Sequence, residues 1–459
     1  MSGSLQYQQC RQLKDEGEQL RKAQRFSEAA ELFKKAFELC HDSYAASKYI
    51  HCLCRTGDEA ARMAAKFARQ AEQQFSDDQY IKKEWAWALY YGYLKDAEGD
   101  EIEEAENIDD QAPAQIAASA DFTTKVKAGR TIFRLTIDLF ARKQAAFAIC
   151  KEAKLLKKWD LVLEFAQQLD PQMLSLEQKE LNGRRLLSDY QRWAFAITRA
   201  LLELERYDEC ITHAREASEK FPQESFHFQR WEALAKIRMG QVEDGLKQLE
   251  YLNMRFPKQW YIHSDIANAH VRLGRDEDAL LWFSRATMMP GDPHGRILIL
   301  KSMCEVQQRL ANWQAVYEHL RLIWIIELEL GSKRYAERTE QQLHEFQRLH
   351  AEQLLIVSED GIPTLSSALK PCRVTWQKTI KSAQPTQLGR ISFLEEEKRF
   401  GFVTNDEGRF HFKFNTFRGK PELNKWVEFE TEDSFDQKRG KASKIAVNVR
   451  PAKGPEAKA

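Results

Sequence analysis

The chain has no long apolar run, no excess of one charge and no catalytic signature, and each absence removes a class of function. Nothing in it approaches the roughly 20 apolar residues of a membrane-crossing helix. Met1-Ser2-Gly3-Ser4 leads directly into a polar helical pattern, not a signal peptide. Lysine plus arginine and aspartate plus glutamate both total 69, so attraction to a polyanion must come from local patches. Gly-x-Ser-x-Gly, Gly-x-x-x-x-Gly-Lys-Ser/Thr and His-Glu-x-x-His are all missing. The eleven histidines never cluster at metal-ligand spacing. The eight cysteines (Cys10, Cys40, Cys52, Cys54, Cys150, Cys210, Cys304 and Cys372) are scattered through helical patterns and read as reduced thiols. The expectation is a cytoplasmic, non-enzymatic protein with no cofactor, no metal and no membrane association.

What is present divides at about residue 355. The first part is almost wholly helical in pattern, and it repeats. Gly17, Leu20, Ala29, Phe33 and Ala36 alternate small and large residues, as do Ala267, Ala279, Phe283 and Ala286 with Gly274 at the turn. Cys210, Ala214, Ala217 and Pro222 match the second half of another copy, and Gly245, Leu249, Leu252 and Pro257 the next. Gly245 and Ala279 are 34 residues apart. Small residues let paired helices cross closely, and stacked pairs share a core that one pair cannot form alone. This phased series resembles a tetratricopeptide-repeat (TPR) solenoid. Its clearer copies are 10–42, 191–224, 225–258 and 259–292, with degenerate copies at 43–77, 144–173 and 295–330 and a terminal helix at 333–355. The resemblance implies a groove for an unidentified protein partner. Trp231, Trp260, Tyr261, His263, His270 and Arg272 are candidates for it, against the plainer reading that the aromatics fill the inter-repeat core.

Two stretches break the pattern. Asp96 to Gln111 is strongly acidic and follows an aromatic helix containing Trp85, Trp87, Tyr90 and Tyr91. It reads as a solvated loop, with competition for a basic groove as the sharper alternative. Residues 356–386 carry Gly361, Pro363, Pro371 and Pro385 and read as a linker, with room for a short strand at Arg373–Trp376.

The last part reads as strands, at about 388–394, 400–404, 409–414, 425–431 and 442–449. Phe400 and Phe402 share one strand face. Across the turn Asn405-Asp406-Glu407-Gly408, His411 and Lys413 share another face, opposite Phe410, Phe412 and Phe414. Aromatic rings among cations suit single-stranded nucleic acid, because every base has a π-face and every nucleotide a phosphate. Candidate cations are Lys398, Arg399, Arg409, Lys413, Arg418, Lys420, Lys438, Arg439, Lys441 and Lys444. Lys398-Arg399-Phe400-Gly401-Phe402-Val403 is similar to the first ribonucleoprotein motif of the cold-shock domain family, and Phe410-His411-Phe412-Lys413-Phe414 to the second. The resemblance implies a five-stranded oligonucleotide-binding barrel. Its stackers by position would be Phe393, Phe400, Phe402, His411 and Phe414, with Lys398 and Lys413 near phosphates. Strand parity alone turns Phe414 inward. Several positions depart from the family: Phe393 stands where it has Trp, Arg399 where it has Gly, and His411 where it has Phe.

The expected fold is therefore multidomain α + β. A TPR-like all-α solenoid (1–355, with an acidic loop at about 96–113) leads through a linker (356–386) to a small antiparallel five-stranded barrel (387–450) and a tail (451–459). The expected function is a scaffold whose barrel binds single-stranded RNA or DNA while the solenoid holds a protein partner. Two alternatives stand beside it. One is a pure protein-interaction scaffold with a non-binding barrel. The other is an accessory subunit or cryptic nuclease of a bacterial stress or defence system.

Overall fold

The computed structural model describes residues 2–95, 120–136, 138–178, 180–181, 184–223, 225–355, 363–383, 386–436 and 441–452. The acidic stretch, Lys438, Arg439 and most of the tail lie outside them. The chain is a mostly helical solenoid followed by a closed five-stranded barrel. By contact density it divides into two compact units, Met1–Ala217 and Ser218–Ala459.

The first unit begins with α1 (Ser2–Lys22), α2 (Phe26–Cys40), α3 (Ser43–Leu53), α4 (Asp58–Gln74) and α5 (Gln79–Leu89), the last running into a π-helical turn at Tyr90–Leu94. It continues with α6 (Ala120–Leu135), α7 (Leu139–Leu155), α8 (Trp159–Gln167), a two-residue ladder of β1 (Glu180–Leu181) and β2 (Arg184–Arg185), α9 (Asp189–Glu203) and the start of α10 (Tyr207–Lys220). Side chains define several helix starts. Asp42, Asp78 and Asp138 accept hydrogen bonds from first-turn amides, and Ser188 with Gln191 forms a reciprocal capping box. Buried Ala29, Ala30 and Ala36 surround Phe33, as the small-and-large pattern requires. One expectation is corrected here. Cys10 and Cys40 form a disulfide, with their Cα atoms 6.4 Å apart. The two helices pack against each other, so a residue on α1 meets the end of α2, a pairing that a separation of 30 residues does not reveal. The other six cysteines are buried and outside any disulfide, and burial pushes the Cys52 and Cys304 thiols up to about 12.

The second unit continues with α11 (Ser225–Arg238), α12 (Val242–Arg255), α13 (Trp260–Arg272), α14 (Asp276–Met288), α15 (Ile297–Arg309), α16 (Trp313–Glu329) and α17 (Lys333–Leu349). The residues read as a linker hold one more helix, α18 (Leu365–Ala383), which packs on α14 and α16. No strand forms at Arg373–Trp376. Thr364 starts the helix by accepting from the Ser367 amide at 3.2 Å. Pro371 sits inside it and removes one backbone donor. The compensation is burial: Ala368, Cys372 and Trp376 recur every four residues and enter the solenoid core.

The Trp376 indole donates to His319 Nε2 at 2.8 Å, and the His319 ring bonds the Ala315 carbonyl through Nδ1 at 2.5 Å. The imidazole is thus neutral, with its proton on Nδ1. Complete burial lowers its pKa from 6.5 to about 4. The unfolded chain therefore takes up a proton between pH 6.5 and 4 that the folded chain refuses. Stability from this site is fully present above pH 6.5 and is lost as pH falls toward 4, by roughly 3 kcal/mol at the limit. Urea unfolding at pH 7 and pH 4.5 checks this. A His319→Gln chain should lose markedly less stability across that interval than wild type, and an equal loss in both would refute the assignment.

The barrel is formed by β3 (Gln387–Glu395), β4 (Phe400–Asn405), β5 (Gly408–Lys413), β6 (Trp426–Asp436) and β7 (Lys441–Pro451), in the closed order β3-β4-β5-β7-β6. It is mixed, not antiparallel throughout. β5 and β7 pair in parallel at His411 and Ile445, because β7 returns between β5 and β6 instead of following its neighbour in a hairpin. Ile391, Val403, Phe410, Phe412, Val427, Phe429 and Val449 fill the interior.

Candidate nucleic-acid interface

The outer face of β3, β4 and β5 gathers aromatic rings, and the strand register explains how. Asn405 pairs with Gly408 across a two-residue loop. The Asn405 carboxamide oxygen accepts from the Glu407 and Gly408 amides at 2.9 and 3.1 Å, and Gly408 takes φ of +147°. That turn sets Phe402 opposite His411 and Phe400 opposite Lys413. Phe410 and Phe412 alternate with these residues and point into the core.

Phe393 reaches the same face by a different device. Ile391 is buried opposite Val403, so simple alternation would turn Phe393 inward as well. A bulge between Ile391 and Phe393 inserts one residue, Ser392, and reverses the parity. Phe393 then pairs with Phe402 and is 37% exposed. Gly401 makes the close approach possible, since a Cβ there would lie 2.7 Å from both the Phe393 carbonyl oxygen and the Phe412 ring. Gly401→Ala is expected to destabilise the barrel by about 1–3 kcal/mol through overpacking. Hydrogen exchange of β3 and β4 amides measures it, and protection equal to wild type would contradict the packing argument.

The rings form one cluster. Phe393 lies 6.0 Å from both Phe400 and Phe402, and those two are 5.9 Å apart, edge to face. The His411 ring is 5.2 Å from Phe400 and 5.5 Å from Phe402. Burial among these rings, and then the charge of Lys413, depress the His411 pKa, so the imidazole is neutral at pH 7 and offers a flat face. The Arg409 guanidinium sits 4.1 Å from the Phe402 centroid and 5.8 Å from that of Phe393. Arg409, one of the candidate cations read from the sequence, is thereby brought onto the rings, on the strand that also carries His411 and Lys413.

Lys398 and Lys413 are exposed at the same end of the sheet, in the β3–β4 turn and opposite Phe400 respectively. Arg399 has φ of +54°, a left-handed conformation at the position where the resembled family has glycine. Phe414 is not brought to the cluster. It leaves β5 in a 3₁₀ turn, its ring packs against the barrel core 6.2 Å from Phe412, and its amide donates to the Arg399 carbonyl. The solenoid candidates are likewise mostly core, since Trp231, Tyr261, His263 and His270 are buried. Burial takes the His263 imidazole down to about 4. Among the described residues the converging group of ligand-type atoms is Cys10, Cys40 and Asp42, where the two sulfurs are already joined.

No protein-family model matches the chain, and no curated protein matches it. Solved structures do. The chain is similar to the human IFIT1 dimer with PPP-AAAA at 11% identity, over 80% of this chain and 81% of that one, with a TM-score of 0.35. It is similar to a structure of Naa15/Naa10 bound to HypK-THB at 15% identity and a TM-score of 0.30, over 73% of this chain and 52% of that one. It therefore spans about half the length of that chain. A tetratricopeptide repeat protein from Parabacteroides merdae matches at 12% identity and a TM-score of 0.28, over 66% of this chain and 99% of that one. The helical region is a series of consecutive helix pairs packed on one another. No helix among the described residues is long and apolar enough to cross a membrane.

Proposed function

We propose that the chain is a non-catalytic scaffold whose barrel is an oligonucleotide-binding, cold-shock-like module for single strands and whose TPR-like repeats engage a protein partner. The observation that carries this reading is the cluster of Phe393, Phe400, Phe402 and His411, edged by Arg409, on the outside of a barrel whose interior is already filled. Among the described residues, the ring contacts of these side chains are with one another and with Arg409. The barrel's strand order and its use of the second and third strands as the aromatic face agree with an oligonucleotide-binding fold. Bases would stack on the rings while Lys398, Arg409 and Lys413 meet phosphates, giving strong salt dependence and weak sequence preference. RNA is favoured over DNA as the commoner source of unpaired bases.

Fluorescence anisotropy with labelled single-stranded RNA, single-stranded DNA and duplex tests the reading. Single strands should bind more tightly than duplex. For three phosphate contacts, log K should fall with log salt at a slope of about −2. Duplex binding as tight as single-strand binding would argue against stacking. Absence of binding at low salt would favour a barrel used for protein contact, a role in keeping with the acidic Glu395-Glu396-Glu397 run beside the rings.

A further inference from the structure

The helix that precedes the barrel has a charge pattern unlike that of the other solenoid helices described above. α18 contains Lys370, Arg373, Lys378 and Lys381 and no aspartate or glutamate, in a chain whose charges otherwise balance. All four cations are exposed, and none makes an ion pair among the described residues. Some exposed cations elsewhere in the solenoid sit with carboxylates, as in Arg130 with Glu164, Arg206 with Glu209 and Arg309 with Asp276. At about 100° per residue the four cations fall on one side of the helix, opposite Ala368, Cys372 and Trp376, which bury the other side in the solenoid. The stripe is about 17 Å long at 1.5 Å per residue. Val374, 61% exposed, lies within it beside Gln377 and Ser382, in a shallow hollow shared with Lys378 and Lys381. The helix cannot turn its cations away, because Trp376 is held by His319.

Its place in the chain supplies the second argument. Only three residues separate Ala383 from Gln387, the first residue of β3, so the helix end and the barrel's first strand lie within about 14 Å. The same strand carries Phe393. Phe393 lies six residues, about 20 Å, further along that strand, and the row of positive charge is complementary to the backbone of a nucleic-acid strand long enough to reach it from the aromatic platform.

We propose that the exposed face of α18 is a second binding site, for the phosphate backbone of the single strand whose bases occupy the barrel. The site extends the footprint of one oligonucleotide from the barrel onto the solenoid. It rests on the nucleic-acid reading of the barrel, and a length series separates the two. An RNA of about 6 nucleotides fits within one barrel's range of about 4–16, whereas one of about 18 exceeds it.

The test uses full-length protein and labelled oligouridine of both lengths across a potassium chloride series. The variants are Lys370→Gln/Arg373→Gln/Lys378→Gln/Lys381→Gln and its charge-keeping counterpart Lys370→Arg/Arg373→Lys/Lys378→Arg/Lys381→Arg. All are solvent-facing changes, and circular dichroism checks the fold. With four phosphate contacts, neutralisation should make the log K–log salt slope for the long RNA shallower by about 3. It should leave the short RNA unchanged, and the charge-keeping variant should behave as wild type. A long-RNA slope unchanged by neutralisation overturns the proposal, including the case where the variant instead loses an acidic peptide such as oligoglutamate. Equal losses on both lengths also overturn it, because the stripe would then not be a separate site. Failure of the barrel reading looks different: wild type would not bind the short RNA at all.

Discussion

A chain carrying Phe400→Ala and Phe402→Ala is expected to lose most of its affinity for a short single strand while keeping its fold. The two rings lie on the outside of β4 with no part in the interior cluster, so truncating them opens no cavity in the core. They form the centre of the platform, each within 6.0 Å of Phe393 and 5.5 Å of His411. Loss of stacking costs about 1–3 kcal/mol for each base contacted, so two bases correspond to roughly a hundredfold or more in Kd. The salt dependence should persist, because Lys398 and Lys413 remain. Anisotropy on a 6-nucleotide RNA reads the affinity, and an unchanged Kd would remove the platform from the binding site.

Trp376→Ala carries the largest expected effect on stability. The side chain is 2% exposed, belongs to the core cluster shared with α14 and α16, and supplies the donor for the buried His319 ring. Removing a buried aromatic costs about 3–5 kcal/mol, and the orphaned His319 nitrogen adds about 1–3 kcal/mol. Trp376→Phe keeps most of the volume but orphans the same His319 nitrogen, about 1–3 kcal/mol. Limited proteolysis should show α18 becoming the first cleaved segment in the alanine variant. Urea unfolding should rank the variants Ala, Phe and wild type in rising stability. A midpoint for Trp376→Ala no lower than that of a surface change such as Val374→Ala would mean that the helix is not seated as described.

The sequence made the hairpin legible because period-two alternation and an Asn-to-Gly turn are local signals. Phe402 opposite His411 needed nothing beyond them. Phe393 was another matter. Its outward position depends on a one-residue bulge, and nothing in Arg390-Ile391-Ser392-Phe393 announces an inserted residue. Only the family resemblance put it at the site. Phe414 fell to the opposite error: motif position favoured the rim, whereas the 3₁₀ turn returned the ring to the core, as parity implied. In α18 Pro371 reads as a breaker, whereas Ala368, Cys372 and Trp376 recur every four residues and are the positions buried in the structure. The Cys10–Cys40 bond joins two helices that are read separately, so only their packing could show it. The repeats came through best, because each helix pair restates the same small-and-large pattern and errors in one copy are corrected by the next.

The parallel pairing of β5 with β7 has a consequence for the order in which the protein can be made. Helix pairs touch mainly their neighbours in sequence, so the repeats can consolidate as they are synthesised. The barrel cannot. Its gap between β5 and β6 is filled by the last strand to be translated, residues 441–451. Until that strand emerges, β5 has an open edge and the inward phenylalanines Phe410, Phe412 and Phe429 lack their closing wall. The aromatic face is thus completed only after the repeats are made, and a nascent chain halted between β6 and β7 would present an aggregation-prone sheet.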